Sequence, residues 1–244
     1  MTDIKKINRQ FFRLLIIYLA VIVAIIGLAI TIMVIFGSDY NIIYSVLIAM
    51  FVLILLVTGL FKNSFDQITH MSYLIKIRAN EGKPLPIVHL TSLHQHLAVF
   101  KQNGFDRYQD TETYTIYYKV EKDHIKQIFK NNILTIMVLI KNKNADFYSD
   151  RVDDEINRLR DELFKKKKKV NRIIITQIKE ISQLDDKTKD MIKEVLFIRT
   201  KNYIISTINV GLYRASKKAI MLYSDTYSPS LYYKYHLEEI KNVL

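Results

Sequence analysis

Five consecutive lysines, Lys165, Lys166, Lys167, Lys168 and Lys169, are the densest charge in the sequence. Ammonium groups packed this closely suit one kind of chemistry, the holding of anions such as acidic lipid headgroups, where each basic residue contributes about 1 kcal/mol. The same run closes a segment that opens with Asp150, Asp153, Asp154 and Glu155. Acid at the start and base at the end complement a helix dipole, so the lysines also read as a solvated helix C-terminus. Near the end of the chain, Tyr213, Tyr223, Tyr227, Tyr232, Tyr233 and Tyr235 interleave with Lys217, Lys218 and Lys234. Aromatic rings among cations suit nucleic-acid stacking, although helical phase puts Tyr233 on an apolar face.

Catalytic candidates are few. The six glycines, Gly27, Gly37, Gly59, Gly82, Gly104 and Gly211, stand apart from one another, so neither a P-loop nor a dinucleotide-binding fingerprint can be written. The absence of cysteine excludes disulfides, thiolate nucleophiles and Cys-based metal sites, and no cofactor is implied. His89, His94 and His96 are the closest histidines, but helix positions two apart do not share a face, and Glu81 is the only acidic residue between Asp66 and Asp106. They read as an exposed helix start and no metal site is expected. Gln177-Ile178-Lys179, ending an apolar run, resembles the Glu/Gln-x-Lys element of restriction-endonuclease-like nucleases, in which a carboxylate and this pair hold a divalent metal. The resemblance covers three residues and implies Asp146 or Asp150 as the acidic partner; the competing reading is a plain strand end.

The elements that must position these groups begin with two apolar runs, residues 14–36 and 42–61, each long enough to cross a hydrocarbon core as a helix of about 20 residues. Asp39, in the short turn between them, is the only charge from Leu14 to Phe61. Lys5, Lys6, Arg9 and Arg13 precede the first run and Lys62, Lys76, Arg78 and Lys83 follow the second, so the positive-inside rule predicts a transmembrane hairpin with both termini cytoplasmic. Ala20, Ala24 and Gly27 on one helix and Ser45 and Ala49 on the other predict a close seam, within the hairpin or between copies. No ionisable group lies inside either span, which removes the basis for a proton or ion pathway.

Residues 65–90 read as a short amphipathic juxtamembrane helix to Ala79 and a linker broken by Gly82, Pro84 and Pro86; residues 91–244 read as a cytoplasmic α/β domain after the 1–64 anchor. A helix capped by Ser92 should end at Gly104, followed by a hairpin of 105–109 and 114–120. The apolar runs Ile133–Ile140 and Ile173–Ile178 have the pattern of covered central strands, and Val152, Ile156, Leu159 and Leu163 between them form one helical stripe, a strand-helix-strand unit with parallel strands. A helix over 185–197, strands over 203–213 and 219–224, and a final helix capped by Ser228 with Pro229 at its first position complete the mixed sheet.

The formal net charge of +12 lies mostly beyond Phe61 and favours anionic partners, although an Ile-, Lys-, Asn- and Tyr-rich composition produces such a surplus without any ligand. The expected function is a membrane-anchored cytoplasmic binding or scaffold module, integral to the cell membrane. A membrane-tethered metal-dependent enzyme acting on a phosphodiester or nucleic acid, and an oligomeric channel or transport accessory, are the alternatives. The bilayer is one partner and a protein or a second copy another; nucleic acid has no motif behind it.

Overall fold

The computed structural model describes residues 2–36, 39–90, 96–125, 131–142, 145–199 and 204–244. It divides into two units, Met1–Ala79 and Asn80–Leu244.

The first unit is a helical hairpin, α1 (Thr2–Ile35) and α2 (Tyr40–Ala79). Both helices are long and apolar enough to cross a membrane. Their shared seam follows a repeat of three and four residues, with Ile7, Phe11, Leu14, Tyr18, Val21, Ile25 and Ala29 on α1 all at least partly covered. Phe11, Tyr18, Phe61 and Phe65 form an aromatic cluster in it, with ring centroids 5.5 to 6.4 Å apart. Within the hairpin, the small residues do not form the seam. Ala20, Ala24, Gly27, Ser45 and Ala49 are exposed, because the bulkier heptad face buries more apolar area against the partner helix. The juxtamembrane helix is likewise not separate: nothing between Phe61 and Ala79 breaks a helix, and α2 runs through all 40 residues.

The second unit is a mixed eight-stranded sheet with helices on both faces. Its elements are β1 (Leu85–Pro86), α3 (His96–Gln102), β2 (Asp106–Asp110), β3 (Tyr114–Lys122), β4 (Asn132–Ile140), α4 (Asp150–Lys165), β5 (Val170–Ile181), α5 (Asp186–Ile192), β6 (Val195–Arg199), β7 (Ile204–Tyr213), β8 (Lys218–Ile220) and α6 (Leu231–Val243). The path β1-β8-β7-β5-β4-β3-β2 is antiparallel at its ends and parallel at β4-β5 and β5-β7. The apolar runs of β4 and β5 thus sit at the centre, where both faces are covered. One face packs Leu134, Ile136, Val138 and Ile140 of β4 and Ile173 and Ile175 of β5 against the α4 stripe Val152, Ile156, Leu159 and Leu163. The other face carries Tyr117, stacked on Phe100 at 4.3 Å, and receives α6.

Four boundaries differ from the sequence expectation. The lysine run does not close α4 as a whole: Lys165 is the last helical residue and Lys166 the C-cap, so most of the run lies past the helix. The helix over 185–197 stops at Ile192, and Val195–Arg199 pairs antiparallel with Ile204–Ile208 of β7, because a β-branched apolar stretch gains more as a strand than as an extra helical turn. Strand 219–224 contracts to Lys218–Ile220, since β6 already occupies the rest of that edge of β7. The cap of α6 is Ser230, whose Oγ accepts from Tyr233 N–H at 3.1 Å, two residues beyond the expected Ser228. Gly104 holds the left-handed conformation expected of it, at φ 78°.

Candidate functional site

The end of α4 is built as a helix stop. Lys166 N–H donates to Glu162 O at 3.0 Å, the last bond of ordinary helical spacing. Lys168 N–H then donates to Leu163 O and Lys167 N–H to Phe164 O, both at 2.9 Å, the pair of bonds that closes a Schellman turn. That turn needs a left-handed residue, usually glycine, and the chain places Lys167 there at φ 58°. A side chain in that conformation costs roughly 1–2 kcal/mol. Lys169 carries the chain onward to Asn132, whose N–H donates to Lys169 O at 3.0 Å. The backbone of the run is thus committed to ending a helix and entering the sheet. Lys165, Lys166, Lys167, Lys168 and Lys169 are all exposed, and none forms an ion pair with another described residue. Beside them Phe164 is 74% exposed. Sequence reading passed over Phe164, although its phase, one residue after Leu163 in the buried stripe, already turns it away from the core.

The Gln177-Ile178-Lys179 triplet lies in β5, near the carboxyl end of the parallel strands, where α/β sheets place ligands. Gln177 and Lys179 share a face, with Gln177 level with Val138 and Asn209, and Lys179 level with Ile140 and Gly211. Lys179 is buried; its Nζ donates to Ala145 O at 2.6 Å and lies 5.5 Å from the Phe147 ring centre. Burial lowers its pKa, and nearby Asp146 opposes that shift. Asn209 Nδ2 donates to Met191 O at 2.8 Å and Tyr148 Oη at 3.2 Å, and burial raises the Tyr148 hydroxyl to about 12. Gln177 Oε1 and Asn209 Oδ1 are buried without a hydrogen-bond partner among the described residues. Asp146 and Asp150, the acidic partners the resemblance implies, are both exposed. Among the described residues no three His, Asp or Glu side chains come together. What the triplet assembles is an ammonium tied to a carbonyl and two amide acceptors, an inward-facing polar row.

On the opposite face, a group that sequence reading missed is held just as firmly. His236 of α6 is fully buried between two hydroxyls, Thr176 Oγ1 at 2.9 Å from Nε2 and Ser206 Oγ at 3.2 Å from Nδ1. Burial lowers its pKa to about 3, so the ring is neutral. A Ser-His-Thr set of this kind has nucleophile chemistry in principle, but with Ser206 and Thr176 also buried it has no access for substrate. Its position three residues after Tyr233 on the apolar face was the available signal.

The remaining candidates are structural. His89 lines an open groove of about 260 Å³ with Leu85, Pro86, Val88, Lys241 and Leu244, and its N–H, with those of Val88 and Leu90, donates to Leu244 O. His96 sits edge-on to Tyr117 at 5.7 Å, and His94 lies outside the described residues. Of the C-terminal tyrosines, Tyr223 and Tyr233 are in the core, Tyr232 donates to Asp123 at 2.6 Å and Tyr235 to Glu121 at 2.7 Å. Those four rings are committed to packing and hydrogen bonding within the domain. No protein-family model, curated protein or solved structure matches the chain.

Proposed function

We propose that the chain is a membrane-anchored module without catalytic chemistry of its own. α1 and α2 insert as a hairpin, the flank before α1 and the domain after α2 lie on the cytoplasmic side, and the domain binds a partner there. The observation that carries this reading is the bare apolar surface of the hairpin, on which residues such as Val34 and Leu60 are 77% and 76% exposed. A patch of that extent is untenable in water and ordinary in hydrocarbon, where a helix also satisfies every backbone group internally. The basic residues that flank the spans, against the single Asp39 of the described turn, support the orientation. The domain supports a binding role because its central strands are covered on both faces, which leaves the surface as its working part.

Because the chain has no cysteine, single cysteines report topology without background. Asp39→Cys should react with a membrane-impermeant maleimide in intact cells, whereas Asn8→Cys and Ser216→Cys should react only after permeabilisation. Labelling of Ser216→Cys in intact cells with protection of Asp39→Cys would reverse the orientation. Recovery of the chain in the soluble fraction would remove the anchor.

A further inference from the structure

The tip of α4 has three properties that a helix stop does not need. Phe164 turns a ring to solvent although its neighbour Leu163 is buried. Lys167 occupies a left-handed position that glycine fills without strain. Five exposed ammonium groups crowd where one or two would complement the dipole, and no described residue pairs with them. An exposed aromatic ring beside clustered lysines is the composition of a bilayer-interface contact, in which the ring enters the boundary of headgroup and acyl chain while the cations meet anionic headgroups.

We propose that the tip Phe164–Lys169 docks on anionic phospholipid, with Phe164 entering the headgroup region and Lys165, Lys166, Lys167, Lys168 and Lys169 neutralising phosphates. This rests on the membrane reading above, since the anchor holds the domain near such a surface and charge complementarity selects acidic over neutral lipid. Lys167 then keeps its strained place because glycine would remove a headgroup contact.

The full chain, reconstituted in phosphatidylcholine bilayers with or without phosphatidylglycerol, tests this. A fluorophore on Asp161→Cys, one turn before the tip, should be quenched by headgroup-nitroxide lipid in the anionic bilayers and much less in the neutral ones. Added salt should weaken the quenching in the unmutated tip. Replacing Lys165–Lys169 by Gln should cut the docked-to-free ratio by roughly tenfold or more, and Phe164→Ser should lower it further. A second label at Val34→Cys, read with acyl-chain nitroxide, reports the anchor alone. Quenching at Val34→Cys with none at Asp161→Cys, or quenching at Asp161→Cys indifferent to lipid charge, salt and the Gln replacements, overturns the docking and leaves the anchor standing. No quenching at Val34→Cys overturns both. Retention of a single-stranded oligonucleotide that depends on the lysines, without bilayer quenching, also overturns it and makes the tip a nucleic-acid contact.

Discussion

Tyr18 of α1 donates its hydroxyl hydrogen to Thr58 Oγ1 of α2 across the hairpin seam at 3.0 Å. The direction follows from proton counting, because the single hydroxyl hydrogen of Thr58 already goes to Ile54 O at 2.7 Å. This bond and the rings around it fix the register of the two helices. Tyr18→Phe keeps the ring contacts with Phe61 and Phe65 and should weaken helix association by about 0.6 kcal/mol, at most about 1.7. Tyr18→Ala removes the rings as well and should cost a further 0.5–1.5 kcal/mol or so. Titration of the full chain with SDS measures both, and equal effects of the two substitutions would remove the rings from the account.

Stability should fall in acid because of His236. Its pKa is about 3 in the folded protein against 6.5 for a free side chain. The unfolded chain therefore binds the extra proton between those values, so stability is complete above 6.5 and lost as pH drops toward 3, at up to about 1.4 kcal/mol per pH unit. His236→Gln should be less stable at neutral pH yet show a flatter pH profile in urea unfolding. A profile as steep as that of the unmutated chain would assign the acid sensitivity to carboxylates such as Asp110, which Lys141 and Thr115 hold below the usual range.

Lys167→Gly should stabilise the domain by about 1 kcal/mol, since it relieves a left-handed side chain without touching the two bonds of the turn. Lys167→Ala is the control: it removes the same charge, keeps a Cβ in the same conformation and should bring no gain. Thermal unfolding of the two variants separates strain from charge.

Gly211 of β7 lies where a Cβ would meet Ile192 Cδ1 at 2.6 Å and Ile181 Cδ1 at 3.1 Å. Gly211→Ala should therefore cost about 1–3 kcal/mol by overpacking α5 against the sheet. Ile192→Val deletes the closer methyl and should restore most of that loss in the double variant. Additive losses in a double-mutant cycle would show that the glycine serves backbone conformation instead.

The centre of the fold was legible because its residues repeat with a period. Ile133–Ile140, Ile173–Ile178 and the stripe Val152, Ile156, Leu159, Leu163 each announce one element, and their order makes a parallel pair. Val195–Arg199 was misread because a short apolar run does not distinguish a last helical turn from a strand until β7 is beside it. The small residues Ala20, Ala24 and Gly27 misled about the hairpin in a similar way: they mark a face that can approach another helix closely, but within the hairpin the larger ring-bearing face took α2. His236 was legible only as a phase on the apolar face of the last helix, and the Gln177–Asn209 row only as Gln177 in a short motif. Their partners are distant in sequence and meet only through strand register and the docking of α6, which no local pattern encodes. The lysine tip was visible as charge and Phe164 as a residue out of phase with the buried stripe, whereas the early stop at Lys166 and the strained backbone of Lys167 needed coordinates.

The unbroken course of α2 makes it a lever. Its 40 residues form a rod of about 60 Å, and in the insertion proposed above the bilayer would span about 30 Å of it. With no glycine or proline between Phe61 and Ala79 to absorb bending, a change in tilt or depth at the apolar end displaces Ala79 along with it. In that proposed insertion, bilayer thickness, which helices of fixed apolar length answer by tilting, would become a mechanical input at Ala79, the last residue of α2.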